Sequence, residues 1–144
     1  MAWVEPPPAL VDVGSGVGLP GIPLAIAYPE IAVTLLDRSQ RRSDLARRAV
    51  HILGLTNVDV ARDDARSHPD RYAAATFRAS LKPGDAIRIA PALLQAGGVA
   101  VIGLHRGRDP GLLPKGPSGA EFRILETPEG ILDSPAWHLR MTLR

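Results

Sequence analysis

The sequence contains no cysteine, so it carries neither a disulfide framework nor a thiolate metal site. No apolar run approaches the roughly 18 residues that a membrane span requires. The opening MAWVEPPP has no basic start and no apolar core, which argues against a signal peptide and for a cytoplasmic location. Four histidines, His51, His68, His105 and His138, are scattered without metal-ligand spacing. No Ser-His-Asp or paired-carboxylate arrangement points to hydrolysis. Charge of one sign is scarce as well: 17 basic residues oppose 15 acidic ones, for a formal net charge of +2. That falls far short of an evident nucleic-acid-binding chain, although the sequence pI is about 9.5. Lysine occurs only at Lys82 and Lys115, so the basic character belongs to arginine, whose planar fork suits phosphate. A GC-rich genome produces the same skew.

What is present is a one-domain length of 144 residues, with 45% hydrophobic and 22% charged content typical of a globular chain. It reads as one domain, 1–144, organised around Leu10–Ala27, LVDVGSGVGLPGIPLAIA. Leu10, Val11 and Val13 surround Asp12, glycine recurs at Gly14, Gly16 and Gly18, and a second apolar run covers Ile22–Ala27. The order predicts strand, tight turn, helix. Glycine permits positive φ and a close-lying ligand, while Pro20 or Pro23 suits the first helical turn. The free N–H groups at that helix start are then expected to face whatever sits above the strand.

The dinucleotide fingerprint G-x-G-x-x-G requires a third glycine where this chain has Leu19. Asp12 at the strand end would repel a pyrophosphate but could hold a cationic amine. S-adenosylmethionine has such an amine and no phosphate. A second acid, Asp37, ends the run Ala32–Leu36 about 20 residues on, where a carboxylate can accept hydrogen bonds from ribose hydroxyls. The plainer alternatives are a glycine turn that merely closes a βα unit and a capping role for Asp37.

The segment DVGSGVGLPGIPLAIAYPEIAVTLLDRSQRR resembles the cofactor half of the RsmG (GidB) family, which methylates guanine N7 in 16S ribosomal RNA. The Leu-Pro-Gly-Ile-Pro tail after the glycines is more specific than a general methyltransferase loop. The resemblance continues through Leu53–Val58 and, more loosely, Thr76–Leu81 and Pro91–Gly98. It implies a Rossmann-like class I methyltransferase: α/β, mostly parallel and doubly wound, with an antiparallel pair of strands at the C-terminal end. The cofactor implied is S-adenosyl-L-methionine and the partner 16S ribosomal RNA or the small ribosomal subunit. Its cofactor-side residues would be Asp12, Gly14, Ser15, Gly16, Gly18, Asp37, Arg38, Asp64, Ala65 and Arg78, with Asp64 and the Ala65 backbone meeting the adenine. Arg78, together with Arg106, is placed on the substrate side. No residue is expected to act as a general base, because guanine N7 offers a lone pair and carries no proton.

Further along, Gln40–Leu53 reads as a helix with Leu45, Ala49, Ile52 and Leu53 facing inward and Gly54 as its stop. Strands are expected at Val58–Ala61, Ala73–Phe77 and Val99–Leu104. Asp85–Gln95 reads as a helix capped by Asp85 and kinked or broken at Pro91. Residues 105–119, HRGRDPGLLPKGPSG, exclude a regular helix. Phe122–Glu126 and Trp137–Leu143 form the closing antiparallel pair, with Trp3 and Trp137 as packing residues. Family members carry a helical extension before the glycine loop, whereas eight residues precede Ala9 here. The expected consequence is an exposed apolar face and a homodimer. Two other readings stay open: a small-molecule methyltransferase, and a shortened relative acting as a binding module.

Overall fold

The structure, a computed structural model, describes residues 6–106, 116–127 and 136–144. Strands β1 (Ala9–Val13), β2 (Ala32–Leu36), β3 (Val58–Ala61), β4 (Tyr72–Phe77) and β5 (Leu94–Arg106) run parallel, while β6 (Ala120–Glu126) and β7 (Ala136–Leu143) close the sheet. The order is β3-β2-β1-β4-β5-β7-β6, with β7 antiparallel to both neighbours. Helices α1 (Gly21–Ala27), α2 (Gln40–Leu53) and α3 (Pro83–Leu93) supply the crossovers from β1 to β2, β2 to β3 and β4 to β5. This is the doubly wound α/β arrangement with the antiparallel C-terminal pair.

Alternate residues of the central strands feed two cores. Leu10, Val33, Leu35, Val58 and Ala74 pack with Ile22, Ala25 and Ala46 of α1 and α2. Val11, Val13, Ala75, Phe77, Ala100, Ile102, Leu139 and Met141 pack with Ala86, Ile87, Ala90 and Leu93 of α3. Burial on both faces explains why these strands are apolar nearly throughout, with Asp12, Thr34 and Thr76 as the polar members of β1, β2 and β4.

α2 has the expected bounds, and Ala49 packs toward the core as expected, but the other three residues of the expected inner face do not. Leu45 and Ile52 are 44% and 73% exposed, and Leu53 is exposed too, while Ser43 and Ala46 are buried. Small side chains let this helix lie close on the sheet, so its larger apolar residues are turned outward. Ser39 caps its start by accepting from the Arg42 N–H, and Gly54, at φ 64°, caps its end in the left-handed region.

α3 also departs from expectation. It begins at Pro83 rather than Asp85, and Asp85 sits in the first turn, ion-paired with Arg88, instead of capping. Pro91 neither breaks nor splits the helix, because it falls in the last turn. Arg71 there donates to the Pro91 and Leu94 carbonyls at 3.0 and 3.1 Å, covering the C-terminal end. β5 starts at Leu94, earlier than Val99, with its register to β4 shifted between Tyr72 and Ala74. β4, β6 and β7 likewise start one or two residues before their expected positions. Trp3 lies outside the described residues, as do residues 107–115 of the glycine-proline segment.

Gly21 shows how tightly α1 meets the sheet. A Cβ there would overlap Leu35 Cδ2 and come within 3.0 Å of Asp12 Oδ2. Alanine gains about 1 kcal/mol of helix propensity over glycine, but overpacking a buried site costs about 1–3 kcal/mol. Gly21→Ala is therefore expected to lower stability, by up to about 2 kcal/mol, in chemical denaturation. An unchanged or raised midpoint would mean that Leu35 moves aside freely.

Candidate cofactor site

The strand order reverses between β1 and β4: the chain winds outward from β1 through β2 to β3, then crosses to β4 and winds the other way. In open α/β sheets ligands sit outside the carboxyl ends of the strands at such a point. A cavity of about 260 Å³ lies there. Its walls include Val13 and Gly14 after β1, Leu36–Arg38 after β2, Asp63–Arg66 after β3, and Arg78–Leu81 after β4, with Ile89 of α3.

Of the sequence-predicted residues, Gly14, Asp37, Arg38, Asp64, Ala65 and Arg78 line this one cavity. Asp12, Ser15, Gly16 and Gly18 do not. Arg106 ends β5, and its side chain lies outside the described residues. Arg78 is exposed.

Asp12 faces inward, not toward a ligand. Its Oδ2 accepts from the Gly21 N–H at 2.8 Å and its Oδ1 from the Thr76 hydroxyl at 3.0 Å. It is a buried clamp between β1, β4 and the start of α1. The helix start is occupied as well: the Ile22 N–H donates to Gly18 O, the Leu24 N–H to Pro20 O, and Pro23 has none. No N–H of that first turn remains for an anion, contrary to expectation. The consequence favours a ligand without phosphate.

Burial raises the Asp12 pKa from 3.8 to about 6, against hydrogen bonds from Gly21 and Thr76 and the Arg78 charge, which lower it, and with the Asp37 charge adding to the rise. Between those values the folded protein holds more protons than the unfolded chain. Stability contributed by this group is then present at low pH and falls as pH rises toward about 6, by at most about 3 kcal/mol. Asp12→Asn should remove that slope when urea denaturation is compared at about pH 4.5 and about pH 7. A variant with the parent's pH dependence would refute the assignment.

Asp37 is the hub of the site. Its Oδ2 accepts from the Gly16 N–H at 3.1 Å and lies 3.3 Å from Arg42 Nε, while Oδ1 accepts from the Ser39 N–H at 2.8 Å. It thus ties the glycine loop to the start of α2 and still borders the cavity. Gly14, at φ 66°, donates to Leu36 O at 2.7 Å. A Cβ there would overlap Ser80 Cβ and sit 2.9 Å from Ser80 Oγ.

Sequence reasoning passed over Ser80 and Ala79. The Ser80 hydroxyl donates to Val13 O at 2.8 Å, which docks the post-β4 loop on the glycine loop. Ala79 takes a positive φ of 54°, a strained conformation for a residue with a Cβ and one that gathers at functional sites. Only the fold could reveal this pairing, since 66 residues separate Gly14 from Ser80.

The residues fit a nucleoside with a charged but phosphate-free tail. Asp37 offers carboxylate oxygens, Ala65, Leu36, Leu81 and Ile89 an apolar wall, and Gly14 a side-chain-free floor. No group of metal-binding side chains occurs among the described residues. Nor is any described helix long and apolar enough to cross a membrane.

Comparison with known proteins agrees with this geometry. Residues 3–107 match the model of the GidB family, rRNA small subunit methyltransferase G. The chain belongs to this family. It is 39% identical over 124 residues to the ribosomal RNA small subunit methyltransferase G of Stenotrophomonas maltophilia, covering 83% of this chain and 58% of that protein. With its namesake from Chromobacterium violaceum it shares 34% over 139 residues, 94% of this chain and 66% of the relative. This GidB-family chain thus spans less than two thirds of either relative. Among solved structures, the S-adenosylmethionine-dependent methyltransferase SibL superposes with a TM-score of 0.77 at 18% identity, over 95% of this chain and 50% of that one. TYW2 of P. horikoshii, solved with MeSAdo, gives 0.70 at 15% identity, over 98% and 59%. At these identities the structures establish the fold, a Rossmann-like methyltransferase sheet.

Proposed function

We propose that this GidB-family chain is an S-adenosylmethionine-dependent methyltransferase acting on guanine N7 of 16S ribosomal RNA. The observation that carries the reading is the cavity at the β1/β4 reversal, where Gly14, Asp37, Asp64 and Ala65 converge beside a helix start with no anion-binding N–H left. In the cavity, Asp37 accepts from the ribose hydroxyls, Asp64 and the Ala65 backbone meet the adenine, and Gly14 and Arg38 border the remainder. Ser15, Gly16 and Gly18 shape the loop, and Asp12 anchors it from behind.

When bound, S-adenosylmethionine supplies an electrophilic methyl group on a sulfonium. Guanine N7 needs no deprotonation, so this chain's contribution is orientation and exclusion of water, effects that can supply about 7–11 kcal/mol. Arg78 lines the cavity and is exposed, so its guanidinium can meet a phosphate or the guanine, and Arg106 is a second candidate for the substrate. An unpaired or splayed base is the accessible target. The exposed Leu45, Ile52 and Leu53 of α2 offer the apolar surface that a homodimer would use.

The test is methyl transfer from labelled S-adenosylmethionine to naked 16S RNA and to assembled small subunits, followed by cleavage chemistry selective for N7-methylguanine. Label at one guanine supports the reading. Bound cofactor without label in either RNA, or turnover on a small molecule indifferent to salt and RNA, would overturn it.

A further inference from the structure

The crossover from β3 to β4 uses residues 62–71 and contains no helix. Parallel crossovers commonly take a dozen or more residues, with a helix that packs on the sheet. Here the turn Asp63-Asp64-Ala65 forms part of the cavity wall without that support. His68 supplies a substitute. Its Nδ1 lies 3.1 Å from Asp63 Oδ2 and its Nε2 lies 2.9 Å from the Tyr72 hydroxyl. The ring stacks on Tyr72, with centroids 5.9 Å apart and planes 11° from parallel. The His68 side chain is only 6% exposed, and Tyr72 is buried at the first position of β4. The other oxygen of Asp63 accepts from the Asp64 N–H at 2.8 Å, so the chain of contacts ends on the backbone of the turn itself.

Chemistry fixes the direction of the protons. The His68 hydrogen bond holds the Asp63 carboxyl below its ordinary range, so Asp63 can only accept. His68 Nδ1 must therefore donate. Burial pushes the Tyr72 hydroxyl up from its ordinary value, so it keeps its proton and is able to donate to Nε2, while Thr34 also hydrogen-bonds its oxygen. Asp70, 3.7 Å from Nε2, also faces this ring, and Asp59 faces Tyr72, but Asp70 is largely solvated.

We propose that His68, with a hydrogen on Nδ1, is a positioning residue that ties the Asp63-Asp64-Ala65 wall of the cofactor cavity to Tyr72 of β4. The identity of the ligand rests on the function proposed above; the tie itself does not.

Two measurements on the full chain test it. Imidazole ¹⁵N spectra at neutral pH, assigned with His68→Asn, should show His68 in the Nδ1–H form; the Nε2–H form overturns the proposal. Calorimetry with S-adenosylhomocysteine should show about tenfold weaker binding in His68→Phe, the effect of one lost hydrogen bond. That variant keeps the ring stack, and circular dichroism checks its fold. His68→Asn retains a donor toward Asp63 and should return affinity to within about threefold of the parent, and Tyr72→Phe should lose about threefold. Equal losses in His68→Asn and His68→Phe would reduce His68 to packing and overturn the proposal. Should the parent bind no S-adenosylhomocysteine, the ligand assignment fails on its own. The tie is then decided by the tautomer and by the Asp64 and Ala65 amide resonances, which should move in His68→Phe and return in His68→Asn.

Discussion

Gly14→Ala is expected to cost about 4 kcal/mol and to close the cofactor cavity. Two independent penalties meet at this position. The residue sits at φ 66°, where a side chain costs about 1–2 kcal/mol. The new Cβ would also overlap Ser80 Cβ, which is held in place by its own 2.8 Å hydrogen bond to Val13 O. Displacing that loop forfeits the bond, about 1 kcal/mol, and adds overpacking of about 1–3 kcal/mol. A domain of this length has roughly 5–15 kcal/mol to lose, so the variant should fold with a lowered melting point and no measurable cofactor binding. Gly14→Ala combined with Ser80→Gly removes the overlap but not the strained φ. The pair should therefore couple by about 1 kcal/mol or more in a double-mutant cycle. Additive losses would show that the two loops do not support each other.

The elements that could be read from sequence are those whose cause is local. β1 and β2 are short apolar runs interrupted only by Asp12 and Thr34, and α2 carries its own cap and glycine stop, so their bounds were legible to within a residue. The face that α2 buries was not legible. Its apolar spacing picks out Leu45 and Ile52, yet close approach to the sheet selects Ser43 and Ala46, and only the partner surface decides between them. The cavity shows the same division. Gly14 and Asp37 follow strands at a recognisable spacing, and Asp64 and Ala65 came with the family pattern. Asp12 was visible as an acid at a strand end, but which way its carboxylate points depends on Gly21 and on Thr76, 64 residues away. Ser80, Ala79 and the His68 contacts depend on tertiary proximity and leave no periodic trace.

Asp37→Ala should be at least as damaging to binding, and for a different reason. Asp37 closes no gap by bulk; it terminates the hydrogen bonds of two backbone N–H groups and pairs with Arg42. Its loss leaves the Gly16 and Ser39 N–H groups and the Arg42 guanidinium without their carboxylate, at a site where the side chain is 3% exposed. The two N–H groups are part-buried and an unsatisfied donor costs about 1–3 kcal/mol, while the exposed Arg42 can turn to water, so roughly 2–4 kcal/mol of stability is at stake. The ribose would lose its acceptor in the same step, and affinity for S-adenosylmethionine should fall more than about 100-fold. Asp37→Asn separates the two roles. Its amide oxygen can still serve the Ser39 N–H, but its NH₂ then opposes the Gly16 N–H and Arg42, so the loop loosens although the volume is kept. Stability should recover most of the alanine loss, while calorimetric affinity remains at least about tenfold weak. If both variants lose stability yet bind the nucleoside as the parent does, Asp37 is a strut for the glycine loop and the ribose assignment falls.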